Sequence, residues 1–359
     1  LFAGTFNGVY CSWDGGKQWQ SLQLNLPITP ITDLAVSHND LVVATQGRSF
    51  WILDDLELLR QYKNLEGNSK LYEPTPAMWA NWSSALDTNS PELEAQFEGD
   101  NPASGMVIYY ELPKLSQSSE ITLSITDTNG ALVNAFSSKA DSTFNSYEGG
   151  PSKPKVLNKK EGLNRFVWNL RHEDLPGIPK VYIEGSYEGY KAIPGDYTIS
   201  ISFDDTTLKT IGTVISHPMS ELKTDDYIKY QNFMTKAEVN YKLMTQKTNA
   251  LKQQSDKIDR LMPVLIKKQL NPLWDQAKKI YHQLMAWDSK MAQRLSKAYD
   301  DVENYENGFT AHYLTVLNQV DASNPIVTQG AQSRIDELNK RWEVLKLESE
   351  AIEKQIDAF

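Results

Sequence analysis

At His217-Pro218 the spacing of apolar residues changes from every second position to alternating steps of three and four, and it does not change back. A period of two lines one face of a strand, whereas steps of three and four line one face of a helix. The chain therefore divides into a β part and a helical part, and no single sheet or bundle can absorb it. Its 359 residues also exceed one ordinary core, so several modules are expected.

The β part opens on a repeat. Leu1-Phe2-Ala3-Gly4-Thr5 overlays Leu41-Val42-Val43-Ala44-Thr45 at an offset of about 40 residues. Each run is followed by a glycine-containing turn and an aromatic strand, Val9-Tyr10 in one copy and Phe50-Trp51-Ile52 in the other. That period, with short strands throughout, predicts propeller blades. Asn7-Gly8 predicts a two-residue hairpin turn, because both residue types tolerate positive φ. Between the copies, Ser12-Trp13-Asp14-Gly15-Gly16-Lys17-Gln18-Trp19 fits the Asp-box pattern S-x-D-x-G-x-x-W. In this device Ser12 and Asp14 hydrogen-bond the turn backbone, Gly16 adopts the turn and Trp19 packs beneath it, a structural role and not a catalytic one. Residues 1–62 hold fewer than two blades, and a lone blade exposes both sheet faces. Leu1 thus reads as an interior position, with further blades of the same protein upstream as the expected partner.

Leu41 to Asp55, with the Asp-box before it, resembles the closing segment of large bacterial proteins of the sortilin-like, Asp-box (BNR-repeat) propeller family, commonly labelled glycosyl hydrolase. The resemblance implies a multidomain β plus α architecture and an exported protein, periplasmic, cell-surface or extracellular, whose signal lies upstream. It speaks to architecture more than to activity, since the label derives largely from the repeats.

Residues 70–217 carry alternating strands, among them Met106 to Leu112, Ile121 to Thr126, Leu132 to Phe136, Gly162 to Arg171 and Tyr197 to Phe203, with Ile211 to Ser216 as partner of the last. They resemble an Ig-like or fibronectin-III-like β-sandwich, with Trp168 as core anchor and residues 137–160 as a surface loop. In residues 218–359, Tyr230, Met234, Ala237, Tyr241, Met244, Thr248, Leu251, Ser255, Ile258, Met262 and Leu265 mark one face of a long helix that Pro263 should end or kink nearby. Pro272 suits the first turn of a second helix, with a face from Ala277 through Trp287 to Ala298 and Val302. Phe309 to Val320 forms a shorter piece, and Ile335, Leu338, Trp342, Leu345, Ser349, Ile352, Ile356 and Phe359 form the last stripe. These predict an antiparallel up-and-down bundle with one short member, whose surface could dock a protein partner.

Chemistry is sparse. The five histidines, His38, His172, His217, His282 and His312, have no metal-ligand spacing, and the single cysteine, Cys11, permits no intrachain disulfide. No cofactor fingerprint, nucleophile elbow or phosphate loop is present, so neither cofactor nor metal is implied. Asp300-Asp301-Val302-Glu303 lacks the glycine and alternate-oxygen spacing of a calcium loop and reads as a solvated helix end. A formal net charge of -10 disfavours nucleic acid and anionic lipid as partners by charge alone, and no apolar run can span a membrane. Asp54-Asp55 is the conspicuous acidic pair of the front module, although strand neighbours point opposite ways. Trp79, Trp82, Tyr109 and Tyr110 could stack on a glycan, or fill the core. The reading is a non-catalytic accessory or interaction region of a larger exported propeller protein. The alternatives are part of a sialidase-like glycoside hydrolase whose active site lies upstream, and part of a peptide-binding, sortilin-like propeller.

Overall fold

The structure, a computed structural model, describes residues 1–62, 69–80, 102–322 and 325–359. It is a mixed β plus α protein with several small sheets, one of them curled into half a barrel, and a helical C-terminal region. No helix among the described residues is long and apolar enough to cross a membrane.

The front module consists of two three-stranded antiparallel sheets. The first contains β1 (Phe2–Thr5), β2 (Gly8–Cys11) and β3 (Gln20–Ser21), and the second β4 (Ile31–Ser37), β5 (Asp40–Thr45) and β6 (Phe50–Leu53). They pack face to face through Val9, Leu26, Leu41 and Val43, closed at one end by Leu56 of α1 (Leu56–Gln61). Cys11 is buried and free. The first hairpin pairs Thr5 with Gly8, so Phe6-Asn7 forms its tip, one residue earlier than the expected Asn7-Gly8. Only Gly8 of the three has positive φ, at 131°.

Among the described residues the middle module has eight strands: β7 (Lys70–Leu71), β8 (Ala77–Trp79), β9 (Met106–Leu112), β10 (Ile121–Thr126), β11 (Leu132–Ser137), β12 (Gly162–Trp168), β13 (Gly195–Phe203) and β14 (Thr206–Ser216). One sheet runs β11-β10-β13-β14-β8 and the other β12-β9-β7, with β8 parallel to β14 and the remaining pairs antiparallel. Alternate residues of both sheets, such as Ile108 and Tyr110, Ile121 and Leu123, and Ile199 and Ile201, share one core. Trp168 is fully buried there, donates Nε1–H to the Arg171 carbonyl at 2.9 Å and meets Tyr197 edge-on at 5.4 Å. β12 ends at Trp168, three residues short of the expected Arg171, because the left-handed Leu170 (φ 59°) turns the chain out of the sheet.

The connection from β12 to β13, residues 169–194, is the feature that the sequence does not announce. It has no regular structure, yet Leu175, Ile178, Val181, Ile183, Tyr187 and Tyr190 are buried in the core of the helices. We call it the strap.

The helical module comprises α2 (Thr224–Lys267), α3 (Asn271–Met291), α4 (Phe309–Val320) and α5 (Gln329–Asp357). The buried residues of α2 include Tyr230, Met234, Ala237, Tyr241, Met244, Thr248, Leu251, Ser255, Ile258 and Leu265. Pro263 does not end the helix. It lies in the last turns, where the missing N–H leaves only the Asp259 carbonyl unbonded, and α2 continues to Lys267. Pro272 lies in the first turn of α3. That helix stops at Met291, short of the expected Ala298 and Val302, because buried Asp288 binds Arg294 through both oxygens (2.6 and 2.9 Å) and folds the chain back. Ser255 of α2 meets Met285 of α3, Tyr241 stacks near Tyr313 of α4, and Tyr230 reaches Asp321 just past α4. α3 and α4 thus both run antiparallel to α2, and α5 returns beside them. The bundle has three legs, one made of two consecutive helices, where the sequence suggests four alternating ones.

One glycine is decisive for the middle module. Gly105 precedes β9 at φ 138°, and a Cβ there would lie 2.1 Å from the Trp168 carbonyl oxygen. Gly105→Ala is expected to cost about 2 to 3 kcal/mol, seen as a lower urea midpoint. An unchanged midpoint would mean that β9 and β12 separate at that end without penalty.

Candidate functional site

The densest polar chemistry lies where the strap meets the helices. An antiparallel bridge between Arg171 and Lys191 ties the two ends of the strap together and sets both residues against the start of α2 and the end of α4. Asp321 is the C-cap of α4, where the helix dipole disfavours a carboxylate. It is held there by three donors. The Arg171 guanidinium donates to Oδ2, the Tyr230 hydroxyl donates to Oδ1, and the Lys191 backbone N–H donates to Oδ1 at 3.3 Å. Arg171 is anchored in turn by the Gly189 carbonyl at 2.9 Å and by Glu188 at 3.0 Å. The Lys191 ammonium donates to the Ala80 carbonyl at 2.9 Å and sits 4.8 Å over the Trp79 ring. Burial, with Arg171 nearby, holds the Lys191 amine down to about 8.

Beside this knot is a cleft of about 390 Å³ between β11, the strap and α2. His172, Tyr190, Glu238 and Lys242 are among the residues that line it. The His172 ring stacks on Tyr190 at 3.8 Å, and burial, helped by the Lys242 charge, holds its imidazole down to about 4. Glu238 is only 4% exposed and accepts the Tyr190 N–H at 2.7 Å. Burial pushes its carboxyl up to about 7, against the pull of that hydrogen bond. A neutral imidazole and a half-protonated carboxyl in one cleft could exchange protons with a ligand. Among the described residues, however, no group of three or more His, Cys, Asp or Glu side chains could hold a metal ion.

The residues singled out in the sequence lie elsewhere or serve packing. In the Asp-box, the Gly16 N–H donates to Ser12 Oγ at 2.8 Å, and the Lys17 and Gln18 N–H groups donate to Asp14 Oδ1 at 3.0 and 2.9 Å. Trp19 donates Nε1–H to the Gly16 carbonyl at 3.0 Å, but its ring lies over the turn and stays 44% exposed where the motif predicts burial. Asp55 accepts from the Thr75 hydroxyl at 2.6 Å and from Asn39 at 3.4 Å. Burial raises the Asp54 carboxyl, with Asp40 adding to it. Tyr109 lies opposite Arg165 in the β9–β12 pair, and the Thr75–Asp55 bond joins the middle module to the front one. Tyr110 is fully buried, with its hydroxyl on the Asn158 carbonyl at 2.6 Å. Trp79 is buried between Tyr227 and Tyr230 of α2 and donates Nε1–H to the Ala192 carbonyl at 2.9 Å. Neither Trp79 nor Tyr110 offers a ring face to solvent, and Trp82 lies outside the described residues. The Asp300–Glu303 acids form a 3-10 turn in which Asp301 accepts the Lys297 N–H at 2.6 Å.

The knot itself escapes sequence reasoning, since Arg171 and Asp321 are 150 residues apart. One signal is present: Glu238 is a carboxylate next to Ala237, on a buried face of α2 that otherwise carries no charge.

Glu238 binds its proton more tightly folded than unfolded, so its burial weakens the fold as pH rises from about 4.5 to about 7. Glu238→Gln keeps an acceptor for the Tyr190 N–H and removes the charge. The stability of the variant relative to the parent should rise across that window by on the order of 3 kcal/mol. His172 acts oppositely, losing stability as pH falls from 6.5 towards 4, but it is common to both proteins and cancels. Urea titrations giving a flat difference from acid to neutral pH would contradict the burial of this carboxyl. Compared with known proteins, the chain matches no family model, no curated protein and no solved structure.

Proposed function

We propose that the chain is a non-catalytic accessory and interaction region of a larger exported protein, completing a β-propeller whose other blades lie upstream. One observation carries this reading. The outer face of the β4-β5-β6 sheet presents Val42, Ala44, Phe50 and Ile52 as cross-strand neighbours, with Phe50 74% and Ile52 61% exposed. The outer face is thus apolar along β5 and β6, with Asp33 and Ser37 on the β4 side, and an apolar strip of this kind is built to be covered, as blades are by adjacent blades. The Asp-box hydrogen bonds of the first sheet fit the same reading, and the exported setting rests on the family resemblance alone.

The middle module is read as an Ig-like sandwich. In its favour, a three-stranded sheet β12-β9-β7 shares one core with the five-stranded sheet β11-β10-β13-β14-β8, the two-layer arrangement of such folds. The Tyr197 hydroxyl, early in β13, donates to the Ile193 carbonyl at 2.6 Å, the bond of a tyrosine corner. Asp55 is held by Thr75 and Asn39, so the exposed Asp54 has no free carboxylate beside it with which to flank a sugar bond, which favours the accessory reading over a catalytic one.

Hydroxyl-radical footprinting of this chain and of the full gene product tests the proposal. Phe50 and Ile52 should be reactive in the chain alone and several-fold protected in the full product, which should carry further repeats of about 40 residues upstream. Equal reactivity in both would remove the basis for the propeller.

A further inference from the structure

We propose that the turn between α2 and α3 is a docking tip for an anionic lipid surface. Leu261, Val264, Ile266, Leu270 and Leu273 are all exposed around this turn, and Trp274 is half-buried with the Lys278 ammonium 4.9 Å over its ring. Exposed beside them are Lys257, Arg260, Lys267, Lys268, Lys278 and Lys279, against the carboxylates Asp259 and Asp275, while Asp256 is paired with Lys252. The tip is therefore cationic in a chain whose formal net charge is -10. Exposed aliphatic groups and an aromatic ring among long basic side chains is the chemistry that binds the boundary between headgroups and acyl chains, the lysine stems reaching back to the anionic headgroups.

Position supports the same occupant. Among the described residues, the hydrogen bond between the strap and α2 that lies farthest along the helix is at Asn249, which donates to the Gly177 carbonyl at 3.2 Å. From there α2 runs on to Lys267, roughly 27 Å of helix. The tip thus lies beyond the last hydrogen bond from the strap. Its apolar groups do not form one stripe: at about 100° per residue, Val264 and Ile266 leave α2 on roughly opposite sides. A rigid protein groove selects one face, whereas a fluid interface accepts side chains all round. A second copy of the tip would bring like charges together, which disfavours self-association there. The docking is peripheral, without any span, and rests on the tip alone, whatever becomes of the propeller reading.

The test is co-sedimentation of the full chain with vesicles of phosphatidylcholine, and with vesicles of phosphatidylcholine and phosphatidylglycerol at roughly 2:1. Binding is expected to the mixed vesicles at low salt, to weaken as salt shortens the Debye length, and to be small on phosphatidylcholine alone. Lys267→Glu with Lys268→Glu should lower partitioning about tenfold or more, and Ile266→Ser with Leu270→Ser should also reduce it. All four side chains are exposed, so both variants should keep the parent circular dichroism spectrum. No sedimentation with the mixed vesicles at low salt would overturn the proposal, as would sedimentation that both variants leave unchanged. Binding to soluble polyglutamate with none to vesicles would overturn it too, and would point to an acidic protein instead.

Discussion

Asp321 is a carboxylate at the wrong end of a helix, and the way it is neutralised organises the molecule. Left alone at the C-cap of α4, it would face the partial negative charge of the unpaired carbonyls. Arg171 from the strap and Tyr230 from α2 converge on its two oxygens, so three segments distant in sequence meet at one charge. Removing one partner of such a buried pair is far costlier than the pair is stabilising, which makes it a device for fixing position more than a source of stability.

Around that point the strap solves a packing problem. An irregular segment carrying Leu175, Ile178, Val181 and Ile183 has no partner strand, so its apolar side chains go into the helical core while its backbone N–H groups find acceptors within the strap and on Val133, Gly149, Glu238 and Ser296. Asn318 donates to the Ser186 carbonyl and accepts the Ser186 N–H, a two-way bond between α4 and the strap. The β and helical cores are thereby continuous in effect: Ile193 packs against both, and Trp79 closes the seam on Tyr227 and Tyr230. A helix of 44 residues rooted in this way is a stiff arm, and its far end can carry chemistry away from the sheets.

What can be read in the sequence is what a single element dictates. The stripes of α2 and α5 depend on helical period alone, and they are buried apart from Met262, Ile356 and Phe359, which are half-buried towards the helix ends. The Asp-box residues lie within eight positions of one another, and their hydrogen bonds close inside that span. What fails depends on contacts between elements. Period cannot say whether α4 runs with α3 or against it, nor that Leu170 turns the chain away before Arg171. The strap follows no period, and the carboxylate that gathers it lies 130 residues beyond Lys191. Trp79 reads as a platform in the sequence because an aromatic residue has the same letter whether its faces are free or filled.

The strap, packed into the helical core while its ends are held in the sheets, makes the middle module and the helices one cooperative unit. Native-state hydrogen exchange measures this directly, comparing amides of β10 and β13 with those of α2 and α4 in the parent and in Asp321→Ala. A common opening free energy is expected for the two groups in the parent, with a drop in both on substitution. Separate opening free energies in the parent, with Asp321→Ala altering α4 alone, would contradict it.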